Sequence, residues 1–390
     1  MNKKKVAILG STGSIGKTSL KIFHYNRNNF KIILLSAHSN YLLIKKQIKL
    51  IRPKYFVIKN FKVYKKILKN KKKRKNKILN KFSQIPSKIR FDITISSIVG
   101  IAGLEPTIQF TKISKKVLIA NKESIICGWH ILKNISKKNK TQMIPIDSEH
   151  FSIDQLTKNY KDNEIKKIYI TASGGPFLRT PLKYFNKIKA KDASKHPKWK
   201  MGKKISIDSS NLMNKTLELI EAYKLFPFHP KKYEIVIHPQ SLIHAIVFFK
   251  NGLSKFLYHE TDMSIPIFNA IYNNKINIDK FFKIKTNYLI DLKYLKFEKV
   301  DKKRFPIVTL LRNNIYRNSG PIILNASNEI LVDRFIRNEI QYTQIYQSLK
   351  RVFKDRDFHK YAIKKRPNIK EIYKIDKWAR EKTKEIIGFK

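Results

Sequence analysis

Cysteine, acidic residues and long apolar runs are all scarce in this chain, and each shortage excludes something. The one cysteine, Cys127 in 390 residues, leaves no internal disulfide framework and no Cys-x-x-Cys chemistry, which suits a reducing compartment. No apolar run approaches the roughly 20 residues needed to span a bilayer. The chain enters a strand at Val6–Leu9 almost at once, with no apolar signal region ahead of it. Together these predict a soluble, cytoplasmic protein with no membrane partner.

The acid shortage is the most pronounced: 83 Lys and Arg against 28 Asp and Glu, a formal charge of +55. Such a charge fits nucleic-acid binding through counterion release. The lysines, however, are spread along the whole chain among many Asn and Ile, and no nucleic-acid reading motif accompanies them. The densest run, Lys69 to Lys77, reads as a solvated loop or helix face. Anionic small-molecule substrates fit the same charge, so no functional nucleic-acid partner is expected.

What is present is globular: 42% hydrophobic and 12% aromatic residues, with length for two or three domains. Val6-Ala7-Ile8-Leu9 reads as a buried strand, followed by Gly10-Ser11-Thr12-Gly13-Ser14-Ile15-Gly16 and a helical period through Leu20 and Phe23. Strand, glycine turn and helix is the context of a dinucleotide fingerprint, here spaced GxxGxxG. Gly16-Lys17-Thr18 resembles the end of a P-loop, but Ser11 stands where that loop has its first glycine. An NAD site usually ends its second strand on an acid that holds the ribose hydroxyls. No acid precedes Asp92, and His38-Ser39-Asn40 follow the second strand, Lys31–Ala37, which favours NADP.

Further strands are expected at Tyr55–Ile58, Ile93–Val99, Val117–Ala120 and Met143–Ile146, alternating with helices. That order implies a doubly wound, mainly parallel sheet with ligands at the carboxyl ends of its strands. Asn121-Lys122-Glu123 and Asp147-Ser148-Glu149 stand just past two such ends. Asn121 reads equally well as a helix cap. In an extended chain Asp147 and Glu149 face the same side, so they either hold a divalent cation or cap the helix near His150.

Ile168–Ala172 runs as a strand into Ser173-Gly174-Gly175-Pro176, a plausible phosphate cradle or an ordinary turn. Residues 192–202, with His196, Trp199 and Gly202, have the composition of a lid loop or of a plain surface loop. Ser209, Ser210 and Asn211 then cap a helix whose first turns carry Asn214 and Lys215, donors suited to a phosphate. Lys215 and Glu218, three apart, share a face as a surface salt bridge or as part of a site. Glu218 would complete a metal site with Asp147 and Glu149, an oxygen set for Mg²⁺ or Mn²⁺, with Co²⁺ a third possibility. Strands at Glu234–Ile237, Ile243–Phe249 and Lys255–Tyr258 read as a small antiparallel-type sheet and a candidate for dimer pairing. From about Asp262 the pattern is helical, with Asn325–Glu329 opening one helix.

These segments, in this order, resemble the 1-deoxy-D-xylulose 5-phosphate reductoisomerase family across nearly the whole chain. The resemblance rests on GSTGSIG at 10–16, ANKES at 120–124, IDSEH at 146–150 and SGGPF at 173–177. It continues in HPKWKMG at 196–202, MNKTLELIEA at 213–222, HPQS at 238–241 and NASNE at 325–329. It implies conversion of 1-deoxy-D-xylulose 5-phosphate to 2-C-methyl-D-erythritol 4-phosphate with NADPH and a divalent metal, in non-mevalonate isoprenoid precursor biosynthesis, by a homodimer.

The resemblance implies an α/β chain in three parts: a Rossmann-like NADP-binding domain at 1–150, an α+β catalytic domain with a lid at 151–285, and a helical domain at 286–390. It puts Thr12, Gly13, Ser14, Ile15, Asn40, Asn121, Glu123 and Gly202 at NADPH, and Asp147, Glu149 and Glu218 at the metal. Lys122, Ser148, Ser173, His196, Ser209, Asn214 and Lys215 would contact substrate, four of them (Ser173, Ser209, Asn214, Lys215) at its phosphate, with Trp199 as the lid residue. The chain departs from the family pattern at His38-Ser39, at Leu178 and at Tyr258–Thr261. A rival reading, an NADP-dependent semialdehyde dehydrogenase, needs a cysteine nucleophile, and Cys127 has no partnered base nearby in sequence.

Overall fold

The structure is a computed structural model, and it describes residues 2–69, 76–199, 201–281, 293–313, 315 and 317–388. Most of the basic run at 69–77, Lys200 of the expected lid and the boundary at 285/286 lie outside the described residues. In chain order, β1 (Lys4–Leu9), α1 (Ser14–Tyr25), β2 (Phe30–Ala37), α2 (Tyr41–Ile51), β3 (Tyr55–Ile58), α3 (Phe61–Lys69) and β4 (Lys77–Leu79) come first. They are followed by β5 (Phe91–Ser96), α4 (Leu104–Thr111), β6 (Ser114–Ile119), α5 (Lys122–Asn139), β7 (Gln142–Pro145) and α6 (Ser148–Thr157).

The seven strands form one sheet in the order β4-β3-β2-β1-β5-β6-β7, and every pair is parallel. Strands covered on both faces read as unbroken apolar runs, which is why Val6–Leu9 alternates between two cores. Val6 and Ile8 join Phe23, Phe56 and Leu118 on one face, while Ala7 and Leu9 join Phe91 and Phe110 on the other. The winding reverses between β1 and β5, the switch point where ligands of doubly wound sheets collect. β5 ends at Ser96, earlier than the expected Val99. Beyond it the Ser97 hydroxyl turns back to Leu9 O at 2.7 Å.

The chain continues with β8 (Ile165–Ala172), α7 (Ala190–Ala193), α8 (Lys203–Ser210), α9 (Met213–Leu225), β9 (Tyr233–Ile237), β10 (Ile243–Phe249) and β11 (Ser254–Tyr258). Then come α10 (Ser264–Tyr272), β12 (Glu298–Lys299), α11 (Gly320–Ile336), α12 (Tyr342–Phe353), α13 (Phe358–Ala362) and α14 (Ile369–Ile386). The second sheet runs β11-β10-β8-β9-β12. It is mixed rather than antiparallel: β8 pairs with β9 in parallel, because a helical crossover rather than a hairpin joins them.

The chain divides into two compact units, one comprising 1–124, 130–151 and 263–284, the other 125–129, 152–262 and 285–390. Residues 263–284 therefore return to the first unit, where α10 lays Ile267, Phe268 and Ile271 into its core. In the second unit Phe177 of the Ser-Gly-Gly-Pro-Phe turn meets Tyr342 of α12 edge-on at 5.6 Å. Arg380 of α14 ties to both Glu329 of α11 and Asp376. Asn325–Glu329 lies inside α11 and does not open it; Pro321, whose missing N–H costs nothing in a first turn, marks the start.

Candidate active site

The glycine turn is built by close approach. Gly10 has φ +87°, and a Cβ there would stand 2.7 Å from Ser97 O, the carbonyl following β5. A Cβ on Gly16 would stand 2.3 Å from Gly10 O, so these two glycines let the turn fold tightly onto α1. Gly13 caps α1 without a side-chain bond, which leaves the surroundings of Thr12, Ser14 and Ile15 to the backbone. One support escaped the sequence reading. Gln47 of α2, buried, accepts from the Ser11 hydroxyl at 2.6 Å and donates to Ser11 O at 2.8 Å. Its one signal was a polar residue on the apolar Ile44/Ile48 face of that helix.

Asn40 caps α2, accepting from Leu43 N–H at 3.1 Å, and His38 and Ser39 beside it are exposed. Asn121 does cap α5, accepting from Ser124 N–H at 2.8 Å. Its amide also donates to Ile98 O at 2.6 Å and to the Glu123 carboxylate at 2.7 Å. Asn121 thereby ties the ends of β5 and β6 together at the sheet's carboxyl edge.

Asp147 and Glu149 are not brought together by strand alternation. β7 ends at Pro145, and Ser148 and Glu149 already lie in the first turn of α6. Glu149 N–H donates to Asp147 Oδ1 at 3.2 Å, so Asp147 caps the helix as well as offering its carboxylate. The Lys122 ammonium lies 2.7 Å from Asp147 Oδ2, and the Ser148 hydroxyl donates to Glu149 Oε2 at 2.6 Å.

The Ser173 turn holds Gly174 at φ +80° and Gly175 at φ +66°. The Ser173 hydroxyl accepts from Gly175 N–H at 3.1 Å and lies 2.9 Å from His196 Nε2. His196 Nδ1 accepts from the N–H groups of Lys198 and Trp199 at 3.1 and 2.9 Å. A ring nitrogen that accepts bears no proton, so the hydrogen sits on Nε2, which donates to Ser173. Trp199 rests edge-on to His244 at 5.9 Å, and His244 stacks on His259 at 3.8 Å. Gly202 caps α8 with open space where a Cβ would stand.

Ser209 and Ser210 end α8, Asn211 closes that helix, and Leu212 is the N-cap of α9 with no side-chain bond, so the expected Ser/Asn cluster does not cap α9. The Asn211 side chain accepts from Met213 N–H at 2.9 Å from one residue further out. The Ser209 hydroxyl is turned back to Ile205 O at 2.8 Å. The Lys215–Glu218 pair is buried, not a surface bridge: the ammonium is 2.6 Å from Oε2, with side-chain exposures of 9% and 1%. Asn214 donates to Glu218 Oε1 at 2.5 Å. Sequence reading also missed the brace beneath this helix pair: buried Asp208 accepts from Lys204 at 2.9 Å and from Asn328 of α11 at 2.8 Å. Ser210 meets the Tyr342 hydroxyl at 3.1 Å, and burial holds that phenol well above its ordinary pKa, as O–H.

Among the described residues, Asp147, Glu149 and Glu218 form the one group of three potential ligands, each offering an oxygen within 4.8 Å of the others. Three carboxylate oxygens are a donor set for a hard divalent cation, with no sulfur or imidazole to favour a softer one. The residues present therefore fit Mg²⁺ or Mn²⁺.

A sequence model of 1-deoxy-D-xylulose 5-phosphate reductoisomerase matches residues 6–128, and two models of that protein's C-terminal domains match 143–226 and 259–382. The chain is 45% identical over 385 residues to 1-deoxy-D-xylulose 5-phosphate reductoisomerase of Pelagibacter ubique, covering 96% of this chain and 97% of the relative. It is 40% identical over 351 residues to the protein of that name from Wolbachia of Drosophila simulans, covering 88% of each. Among solved structures, a DOX-P reductoisomerase in complex with NADPH, fosmidomycin and magnesium superposes with a TM-score of 0.90 at 31% identity, over 99% of this chain and 98% of that one. The Zymomonas mobilis enzyme in complex with NADPH gives 0.88 at 29% identity, over 99% of each.

Proposed function

This chain belongs to the 1-deoxy-D-xylulose 5-phosphate reductoisomerase family, and from that membership we propose how its own residues perform the reaction. The chain converts 1-deoxy-D-xylulose 5-phosphate to 2-C-methyl-D-erythritol 4-phosphate, using NADPH and a divalent metal, in isoprenoid precursor biosynthesis. The observation that carries the assignment of roles is the acidic cluster of Asp147, Glu149 and Glu218. A metal held there supplies Lewis-acid polarisation and a template for substrate oxygens, and NADPH supplies the hydride.

The protein's part is to bind, orient and exclude water. Ser173, Ser209, Asn214 and Lys215 hold the substrate phosphate. Because the backbone N–H of Gly175 and the His196 ring both donate to Ser173, its own hydroxyl hydrogen is turned to the phosphate. Glu218, now 2.6 Å from the Lys215 ammonium, would be one of the ligands of a bound metal, and Lys215 would then face the phosphate. Lys122 and Ser148 orient Asp147 and Glu149 in the same way and contact the sugar. Phosphate binding is remote from the reacting carbons, so its energy closes the Trp199 loop and excludes water.

At the cofactor, the unobstructed turn Thr12–Ile15 receives the pyrophosphate, and Asn40 stands at the end of β2 toward the adenosine ribose. Asn121, Glu123 and Gly202 complete the NADPH contacts. Residues 1–150 act as the cofactor domain, 151–285 as the catalytic domain apart from 263–284, which pack into the core of the first unit, and 286–390 as a helical brace for the substrate turn. The enzyme works as a cytoplasmic homodimer paired along β11, where Phe256 is 51% exposed. No described helix is long and apolar enough to cross a membrane. The deciding experiment is NADPH oxidation with 1-deoxy-D-xylulose 5-phosphate, with and without Mg²⁺ or Mn²⁺. Oxidation that needs no metal would overturn the roles given to the three carboxylates.

A further inference from the structure

The seven-stranded sheet carries the glycine turn at its carboxyl end and a second cavity at its amino end, which the chemistry above does not use. A cleft of about 1520 Å³ is lined by residues at the starts of β1, β2, β5 and β6 and along α2. Ten of its eighteen lining residues are Lys or Arg, against 83 in 390 for the chain, so the cleft is more than twice as rich in cations. β1 alone spans six residues, which puts about 17 Å between this cleft and the glycine turn at 3.3 Å per residue.

The fold forces like charges together here. Lys5 and Lys31 are direct partners in the β1–β2 ladder, and like charges directly opposed destabilise a sheet. Lys45 and Lys49 are one turn apart on α2, where like charges also repel. Asp92, the single carboxylate among the described lining residues, is already committed, accepting from Lys5 N–H at 2.8 Å and pairing with Lys115 at 2.9 Å. Lys31, Lys45, Lys49 and Arg52 are exposed and pair with no carboxylate among the described residues.

We propose that this cleft binds a multiply charged phosphate anion of the pyrophosphate or oligophosphate class. Ammonium and guanidinium donors suit phosphate oxygens, and one anion with several charges relieves several repulsions at once. A nucleic acid strand fits less well, because single-strand sites stack bases on exposed rings. Among the described residues the only aromatic ring lining the cleft is Phe91, 1% exposed.

The test is calorimetric titration of the full chain with inorganic tripolyphosphate at low salt, with NADPH and the product 2-C-methyl-D-erythritol 4-phosphate both saturating so that the glycine turn and the substrate phosphate site are filled. Three proteins are compared: wild type, Lys45→Glu/Lys49→Glu, and the control Lys370→Glu/Lys374→Glu, which reverses two exposed charges at the same spacing on α14. NADPH oxidation at the wild-type rate shows that each variant is folded; should the cleft variant fail this, Lys45→Gln/Lys49→Gln replaces it. One saturable site is expected, weakened at least about tenfold by the cleft substitutions and by no more than about twofold by the control, since distant surface charges are screened. Equal losses in both variants, no saturable binding, or tighter binding of an oligothymidylate than of tripolyphosphate would each overturn the proposal.

Discussion

Glu218→Gln exchanges one carboxylate oxygen for an amide at a side chain that is 1% exposed. Glutamine keeps the shape and an acceptor for Asn214, but it cannot neutralise Lys215, whose side chain is 9% exposed. Removing one partner of a buried ion pair costs about 3–5 kcal/mol. Lys215 retains some solvent, so a loss near the lower end, about 3 kcal/mol, is expected. The metal site loses one of three carboxylates. If that forfeits about 4 kcal/mol of polarisation in the transition state, turnover falls about 10³-fold at 1.36 kcal/mol per decade. NADPH binding rests on other residues and stays within about twofold of wild type. Glu218→Asp separates the two effects: it restores a charge for Lys215, and with it much of the stability, but its shorter reach leaves the metal poorly held. The assays are NADPH consumption across a Mg²⁺ titration, NADPH affinity by fluorescence, and the unfolding midpoint by calorimetry. Wild-type turnover of Glu218→Gln at saturating Mg²⁺ would refute the reasoning.

Four shorter predictions follow from the same structure. Gly16→Ala drives a methyl group against Gly10 O, at 2.3 Å from the ideal position, so NADPH affinity should collapse in a fluorescence titration; unchanged affinity would mean the turn is not the pyrophosphate site. Cys127→Ser should leave kcat intact, because the thiol is 3% exposed and serves packing; loss of turnover with the fold preserved would revive the semialdehyde dehydrogenase reading. Asp154 has its pKa raised by burial, against opposing help from Lys158 and Gln155. A raised carboxyl pKa favours the fold below the unfolded value and penalises it as pH rises through the folded one. Asp154→Asn should therefore raise the melting temperature at neutral pH, and that gain should vanish as the pH falls through the carboxylate range. Phe256→Glu on β11 should yield monomers in analytical ultracentrifugation, and an unaltered dimer would place the interface elsewhere.

Much of the first sheet is legible in the sequence because its strands are covered on both faces. Val6–Leu9 and Tyr55–Ile58 are unbroken apolar runs, and short strands bounded by polar residues leave little freedom of register. The two-residue β12 and the three-residue β4 carry no such pattern and are set by the strands beside them. The parallel β8–β9 pair was not legible, since nothing local distinguishes a strand that pairs across a crossover from one that pairs across a hairpin. Asp147 and Glu149 were identified as a pair for a reason that does not hold, because the first turn of α6 begins at Ser148. Asp147 does cap the helix, one of its oxygens accepting from Glu149 N–H while the other pairs with the Lys122 ammonium.

By itself the sequence determined the chemistry available: a glycine turn after a buried strand, three carboxylates in an acid-poor chain, and hydroxyl, amide and ammonium donors in fixed order. Residue type sets what a group can donate, accept or ligate, and that requires no coordinates. Only the tertiary structure decided which groups are partners. Gln47 braces Ser11 from 36 residues away, and Asn328 fixes Asp208 across 120 residues. Such pairings depend on burial and long-range packing, which raise the cost of an unpartnered polar group far above its cost in water. The local pattern along the chain carries no record of them.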